Sequence, residues 1–171
     1  MYPTSRDPLH DETLAVSAGL KPDPVTQAIS PNISMSVNNC FVPGDGSFSA
    51  NGLGDLTDAP FLYAGWTNPT VRQLEMRLAA LEASDDAYAT ATGMAAMSAL
   101  FFSLLKSGDH LIISDVCYAG INELALNVLP TFGIEVTMVN LSKLEALDAV
   151  IRPNTKLVHA ETPCNPLLRL T

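Results

Sequence analysis

Three short stretches of this chain carry residue types suited to holding a flat, negatively charged molecule. In "AYATATGMAAMSALFF", Thr90, Thr92 and Gly93 stand where a strand-like run gives way to a long apolar helix. Free N–H groups at a helix start attract anions, and the helix dipole favours negative charge there. Glycine lets a ligand approach the backbone closely. Routine helix capping would use the same residues. In "SDVCYAG", Tyr118 opens a further helix and can stack on a planar ring, or simply be a half-buried tyrosine. In "ETPCNP", Glu161 ends an apolar run and Asn165 follows between prolines. A carboxylate at that place needs a partner, either a ligand or a neighbouring N–H. His159, inside the same apolar run, reads as a core histidine. His10 and His110 have no companions that would make a metal site.

The elements that must position these residues are legible from position 68 onward. "NPTVRQLEMRLAALEAS" is a helix capped by Asn68 with Pro69 at its first position, its apolar stripe formed by Val71, Leu74, Leu78 and Leu81. "DAYAT" reads as a short strand. A helix from about Met94 to Lys106 follows, closed by Gly108. "HLIIS" is a buried strand, Tyr118 to Leu129 a helix stopped near Pro130 and Gly133, and "IEVTMVN" a strand. Ser142 and Glu145 form a capping box for a helix to about Ile151, and "KLVHAE" is the last strand. Strands alternating with helices imply an α/β fold with a parallel sheet. Ligands of such sheets bind at the carboxyl ends of the strands, where four loops would meet: those at Thr90–Gly93 and Ser114–Tyr118, the one after Asn140, and the one at Glu161–Pro166.

The first 60 residues differ. Six of the 12 prolines lie before position 44, and "FVPGDGSFSANGLGDLTDAP" shows little periodicity. Ile29, Ile33, Met35, Val37 and Phe41 are too apolar for a plain linker, so this segment reads as an arm that packs on something else. The 171 residues carry 9 Lys+Arg against 18 Asp+Glu, a net charge of −9 with no basic run. Nucleic acid and anionic membrane are therefore not expected partners. Cys40, Cys117 and Cys164 are scattered and odd in number, as reduced thiols of a cytoplasmic protein are. The N-terminus lacks the apolar core of a signal peptide, and no window is long enough to span a bilayer.

Taken in order, "YAGWTNPT", "TGMAA", "DVCYAG" and "ETPCNP" resemble the Cys/Met-metabolism family of pyridoxal-phosphate enzymes. That family includes cystathionine gamma-synthase, cystathionine lyases and methionine gamma-lyase. "TLAVSAGLKPDPVTQAISPNISMS" is similar to its N-terminal arm, and "LLKSGDHLIISD" and "IRPNTKLVHAETPCNPLL" follow its pattern. The resemblance implies the three-layer, mostly parallel sheet of the fold-type I enzymes and pyridoxal 5'-phosphate as cofactor. Residues 1–60 would be an arm contacting the neighbouring subunit of a homo-oligomer, dimer or tetramer, and residues 61–171 the first part of the cofactor domain. The turn at Thr92, Gly93 and Met94 would hold the phosphate, and Tyr118 would stack on the ring. Glu161 and Asn165 belong to the cofactor side, Asn165 near the ring oxygen and the substrate carboxylate. Tyr63 would reach the neighbour's site, and Tyr63 or Tyr118 would assist the departing group.

The activity implied is elimination or replacement at the gamma or beta carbon of a sulfur amino acid or a homoserine ester. By the same resemblance, the lysine and aspartate that hold the cofactor ring lie beyond position 171, so these 171 residues alone are expected to be inactive. Two positions depart from the family's pattern. Gly65 stands where an arginine usually pairs with the phosphate, with Arg72 as a possible replacement or a solvated helix-face residue. Gly120 stands where methionine gamma-lyases have cysteine.

Overall fold

The computed structural model describes residues 9–40 and 61–171. The chain forms two units, Met1–Ala89 and Thr90–Thr171. Phe41 of the expected apolar arm lies outside the described residues.

In the first unit, α1 (Asp11–Ser17) packs on α2 (Pro69–Leu81). The start of α2 is the one the sequence signals: Asn68 Oδ1 accepts from the N–H groups of Thr70 and Val71 at 2.9 and 3.3 Å, and Pro69 follows it. Its end comes earlier than expected, because Ala83 takes a left-handed φ of 51° that a helix cannot continue through. The expected apolar stripe is also not the buried one. Val71, Leu74 and Leu78 are exposed, while Glu75 and Ala79 are buried. Glu75 tolerates burial because its carboxylate accepts from Ala89 N–H at 2.8 Å and from Arg72 at 3.4 Å. That same bond removes the strand expected at "DAYAT". A strand needs a neighbour's backbone as partner, but the Ala89 N–H is spent on a side chain and none of the described strands pairs with residues 86–90. The arm residues Ile29, Ile33, Met35 and Val37 are exposed on their own unit.

The second unit is a three-stranded parallel sheet in the order β2–β1–β3, with β1 His110–Ser114, β2 Glu135–Val139 and β3 Thr155–His159. Around it lie α3 (Gly93–Leu104), α4 (Ala119–Glu123) and α5 (Leu144–Asp148). Central strand β1 is buried at every residue, which is why Leu111, Ile112 and Ile113 run on without a polar alternation, and its two polar ends, His110 and Ser114, are buried as well. Leu111 and Ile113 pack with Phe101 of α3, Ile121 of α4, and Ala125, Leu129 and Ile134 in one core cluster. On the other face His110 bridges both neighbouring strands, Nδ1 to Thr155 Oγ1 and Nε2 to Thr137 Oγ1, each 2.8 Å.

Two helices differ from expectation. After Glu123, the helix expected to run from Tyr118 to Leu129 widens into a single π turn, Leu124–Val128. It then tightens into a 3-10 turn, Leu129–Phe132, around Pro130. Gly133 ends it with a left-handed φ of 77°, which a side chain would strain. The Ser142–Glu145 capping box is absent. Ser142 instead gives both its N–H (3.1 Å) and its hydroxyl (2.6 Å) to Asn140 Oδ1, an Asx turn that delays the helix to Leu144. Among the described residues no helix is long and apolar enough to cross a membrane.

Candidate active site

Four segments of the second unit converge in sequence order on the carboxyl edge of the sheet: the start of α3 and the loops after β1, β2 and β3. At the start of α3, Thr92 is the cap. Its Oγ1 accepts from Ala95 N–H at 3.0 Å, and its carbonyl accepts from Ala96 N–H at 3.1 Å. The first bond satisfies one of the leading N–H groups that have no acceptor within the helix, and the second is the helix's own first backbone bond. The N–H groups of Gly93 and Met94 find no acceptor among the described residues. Thr90 donates its hydroxyl to the Thr92 carbonyl at 2.8 Å, which shapes the turn but removes Thr90 as a donor to a ligand. A Cβ added at Gly93 would meet nothing within 4 Å. Packing therefore does not demand glycine there, and the space on the side where a side chain would project is open.

The loop after β1 brings Tyr118 to this place. A Cβ added at Gly120 would lie 2.8 Å from Tyr118 Cε1 and 3.0 Å from Met94 Sδ. The tyrosine ring and the first turn of α3 thus approach each other over Gly120. The ring is half-exposed, at 47%. Burial first, then the charges of Glu161 and Asp115, push the neighbouring Cys117 thiol above its ordinary value of 9.0. At neutral pH it is a thiol, not a thiolate nucleophile.

Glu161 follows β3, and its partners are backbone N–H groups. Oε2 accepts from Tyr118 N–H at 2.7 Å and Oε1 from Asn165 N–H at 2.9 Å. One carboxylate therefore holds the two loops that carry the ring-stacking candidate and the polar candidate. Two residues that sequence reasoning missed, Asp115 and Arg169, join the same loops. Arg169 pairs with both Asp115 oxygens and donates to Ser114 Oγ at 3.2 Å. Their separation along the chain leaves no local signal to find them by. His159 packs edge-on against Phe101, centroids 5.7 Å apart, and burial lowers its proton affinity, as a core histidine requires.

Tyr63 and Gly65 belong to the first unit. A Cβ at Gly65 would fall 2.5 Å from Tyr63 Cε1, so the tyrosine ring occupies the space that an arginine at this position would start from. The ring also meets Trp66 edge-on at 6.0 Å. Arg72 is neither a spare cation nor a solvated one. It grips Asp86 through two bonds, 2.6 and 3.2 Å, and reaches Glu75 at 3.4 Å.

The family described as Cys/Met metabolism PLP-dependent enzyme matches residues 12–171. The cystathionine gamma-synthase of Mycobacterium tuberculosis is 38% identical over 158 residues, covering 92% of this chain and 38% of that protein. The cystathionine gamma-lyase of Bacillus subtilis is 36% identical over 160 residues, covering 94% of this chain and 39% of that protein. Among solved structures, metB from Corynebacterium glutamicum superposes with a TM-score of 0.83 at 33% identity, covering 98% of this chain and 41% of that one. The chain thus spans about two fifths of the length of the relatives it matches. It belongs to the Cys/Met metabolism family of pyridoxal-phosphate-dependent enzymes, whose cofactor is pyridoxal 5'-phosphate.

Proposed function

We propose that this chain supplies the phosphate and ring contacts of a pyridoxal-phosphate enzyme acting at the gamma or beta carbon of a sulfur amino acid or homoserine ester. The observation that carries this is the pair of N–H groups at Gly93 and Met94 without an acceptor among the described residues, with open space where Gly93 would carry a side chain and Tyr118 alongside. A dianionic phosphate fits such a cup: the two N–H groups lack an acceptor, the helix dipole attracts it, and the Thr92 hydroxyl still has a proton to donate. Tyr118 presents its ring beside the cup, and Asn165 lies on the loop tied to it. Glu161 orients these residues through their N–H groups instead of touching the cofactor. When bound, the cofactor supplies an electron sink. Tyr63, on the arm side of the chain, would serve a neighbouring subunit's site in a homo-oligomer held in part by the exposed apolar residues Ile29, Ile33 and Met35.

The relatives named as synthase and lyase leave both reaction types within this reading. The 171 residues alone do not carry the turnover, and measurable cleavage of cystathionine by this chain would overturn that point. Equilibrium dialysis with pyridoxal phosphate tests the cup itself. The expected result is saturable one-to-one binding that inorganic phosphate displaces; no binding, or binding indifferent to phosphate, contradicts the reading.

A further inference from the structure

Arg169 lies outside every motif that marks the site, yet it closes the same edge of the sheet. Its guanidinium takes both oxygens of Asp115 and donates to Ser114 Oγ at 3.2 Å, the last residue of β1. Asp115 is itself fixed to β2, its N–H donating to the Val139 carbonyl at 2.9 Å. At the other end, the Arg169 carbonyl accepts from Cys164 N–H at 2.9 Å, and Leu168 N–H donates to the Cys164 carbonyl at 2.7 Å. This folds the loop after β3 back on itself directly beside Asn165. Leu168 holds a left-handed φ of 52° in doing so, a conformation that a leucine rarely adopts. The two loops are therefore fastened twice: Glu161 joins them through the N–H groups of Tyr118 and Asn165, and Arg169 joins them through Asp115 and Ser114.

We propose that Arg169 is a positioning residue that fixes the loop carrying Tyr118 to the loop carrying Asn165. Through Asp115 and Ser114 it sets the spacing between the ring-facing tyrosine and the asparagine. Its value to the site rests on the assignment of those two residues to the cofactor above. The planar fork is what the role requires: it grips two oxygens of one carboxylate and a hydroxyl at once, which a lysine's single ammonium cannot match in geometry. The pairing also holds the Asp115 carboxyl below its ordinary value of 3.8, so the strut stays charged throughout the neutral range.

The test is site-resolved amide hydrogen exchange on the protein without cofactor, comparing wild type with Arg169→Met, Arg169→Lys and Asp115→Asn. In Arg169→Met, the Tyr118 and Asn165 amides should exchange about tenfold faster, while those of Ile112 and Ile113 in β1 stay protected. Asp115→Asn should reproduce this, and Arg169→Lys should fall between it and wild type. If Arg169→Met also loses β1 protection, the strut is judged on the two milder variants. Wild-type protection of Tyr118 and Asn165 in Asp115→Asn, or a lysine variant no better than methionine, overturns the proposal. Pyridoxal-phosphate affinity measured on the same proteins is a separate readout. A wild type that fails to bind cofactor sinks the functional reading above, while the exchange data still decide whether the strut exists.

Discussion

The ring of Tyr118 lies where Gly120 would carry a side chain: an added Cβ would be 2.8 Å from Tyr118 Cε1. Met94 Sδ would be 3.0 Å from the same Cβ, so two side-chain ends must shift; the tyrosine is half-exposed and the thioether flexible, and the cost to the fold should be small. Gly120 sits inside α4, where alanine is the better helix former by roughly 1 kcal/mol. Gly120→Ala should therefore leave the melting temperature unchanged or raised. It should also weaken pyridoxal-phosphate binding about two- to tenfold, the worth of a stacked aromatic contact. Calorimetry and dialysis on one preparation give both signs. Equal cofactor affinity in the two proteins would remove Tyr118 from the ring.

The same geometry recurs at Tyr63 and Gly65, where the Cβ-to-ring distance is 2.5 Å. The protein has one tryptophan, Trp66, and it meets the Tyr63 ring at 6.0 Å. Gly65→Ala should displace that ring and change Trp66 emission without altering cofactor affinity. Gly65→Arg should change emission likewise and, where the arm reaches a phosphate, tighten binding by about tenfold or more, the worth of a charge-assisted hydrogen bond. Unchanged Trp66 emission in both variants would contradict the close packing.

Gly93→Asp separates stability from binding. A Cβ there meets nothing within 4 Å, and a carboxylate at the first helical position complements the dipole by roughly 0.3–1 kcal/mol. The variant should melt no lower than wild type. It should bind pyridoxal phosphate at least tenfold more weakly, because a fixed negative charge then faces the dianion. A melting point that drops while affinity holds would show Gly93 to be structural.

Much of this site is legible in the sequence because its signals are local. A cap, a glycine and an apolar run share one stretch at Thr92–Gly93, and the centre of "HLIIS", Leu111–Ile113, is apolar without alternation because β1 is covered on both faces. What escapes is non-local. Glu75 sits on the polar side of a clean helical period, yet it is buried because Ala89, fourteen residues on, supplies its N–H. "DAYAT" has strand composition, but composition cannot provide the neighbour that a strand requires. The Arg169–Asp115 pair spans 54 residues, beyond the reach of any periodicity.

His110 makes stability depend on pH. Its ring is fully buried between Thr155 and Thr137, and burial, then the nearby Arg152 charge, lower its proton affinity below the ordinary value of 6.5. Glu135, paired to Arg152 at 2.5 Å, opposes this only in part. The unfolded chain therefore binds a proton that the folded one refuses. This contribution is fully present above pH 6.5 and is lost as pH falls below it, at a slope of at most about 1.4 kcal/mol per pH unit. Denaturant titrations from pH 8 to 5 should show the decline, and His110→Gln should flatten it. An equally steep decline in the variant would assign the effect elsewhere, His159 being the first alternative.

The phosphate cup proposed at Gly93 and Met94 is the centre of this account, and amide resonances report on it directly. Pyridoxal phosphate titrated into the isotopically labelled protein should shift the Gly93 and Met94 N–H signals with one saturable binding curve. Inorganic phosphate should move the same two signals in the same direction, because the phosphate alone occupies the cup. In Gly93→Asp both responses should vanish while the β1 signals stay in place. Cofactor binding that leaves the Gly93 and Met94 resonances unmoved would contradict the account.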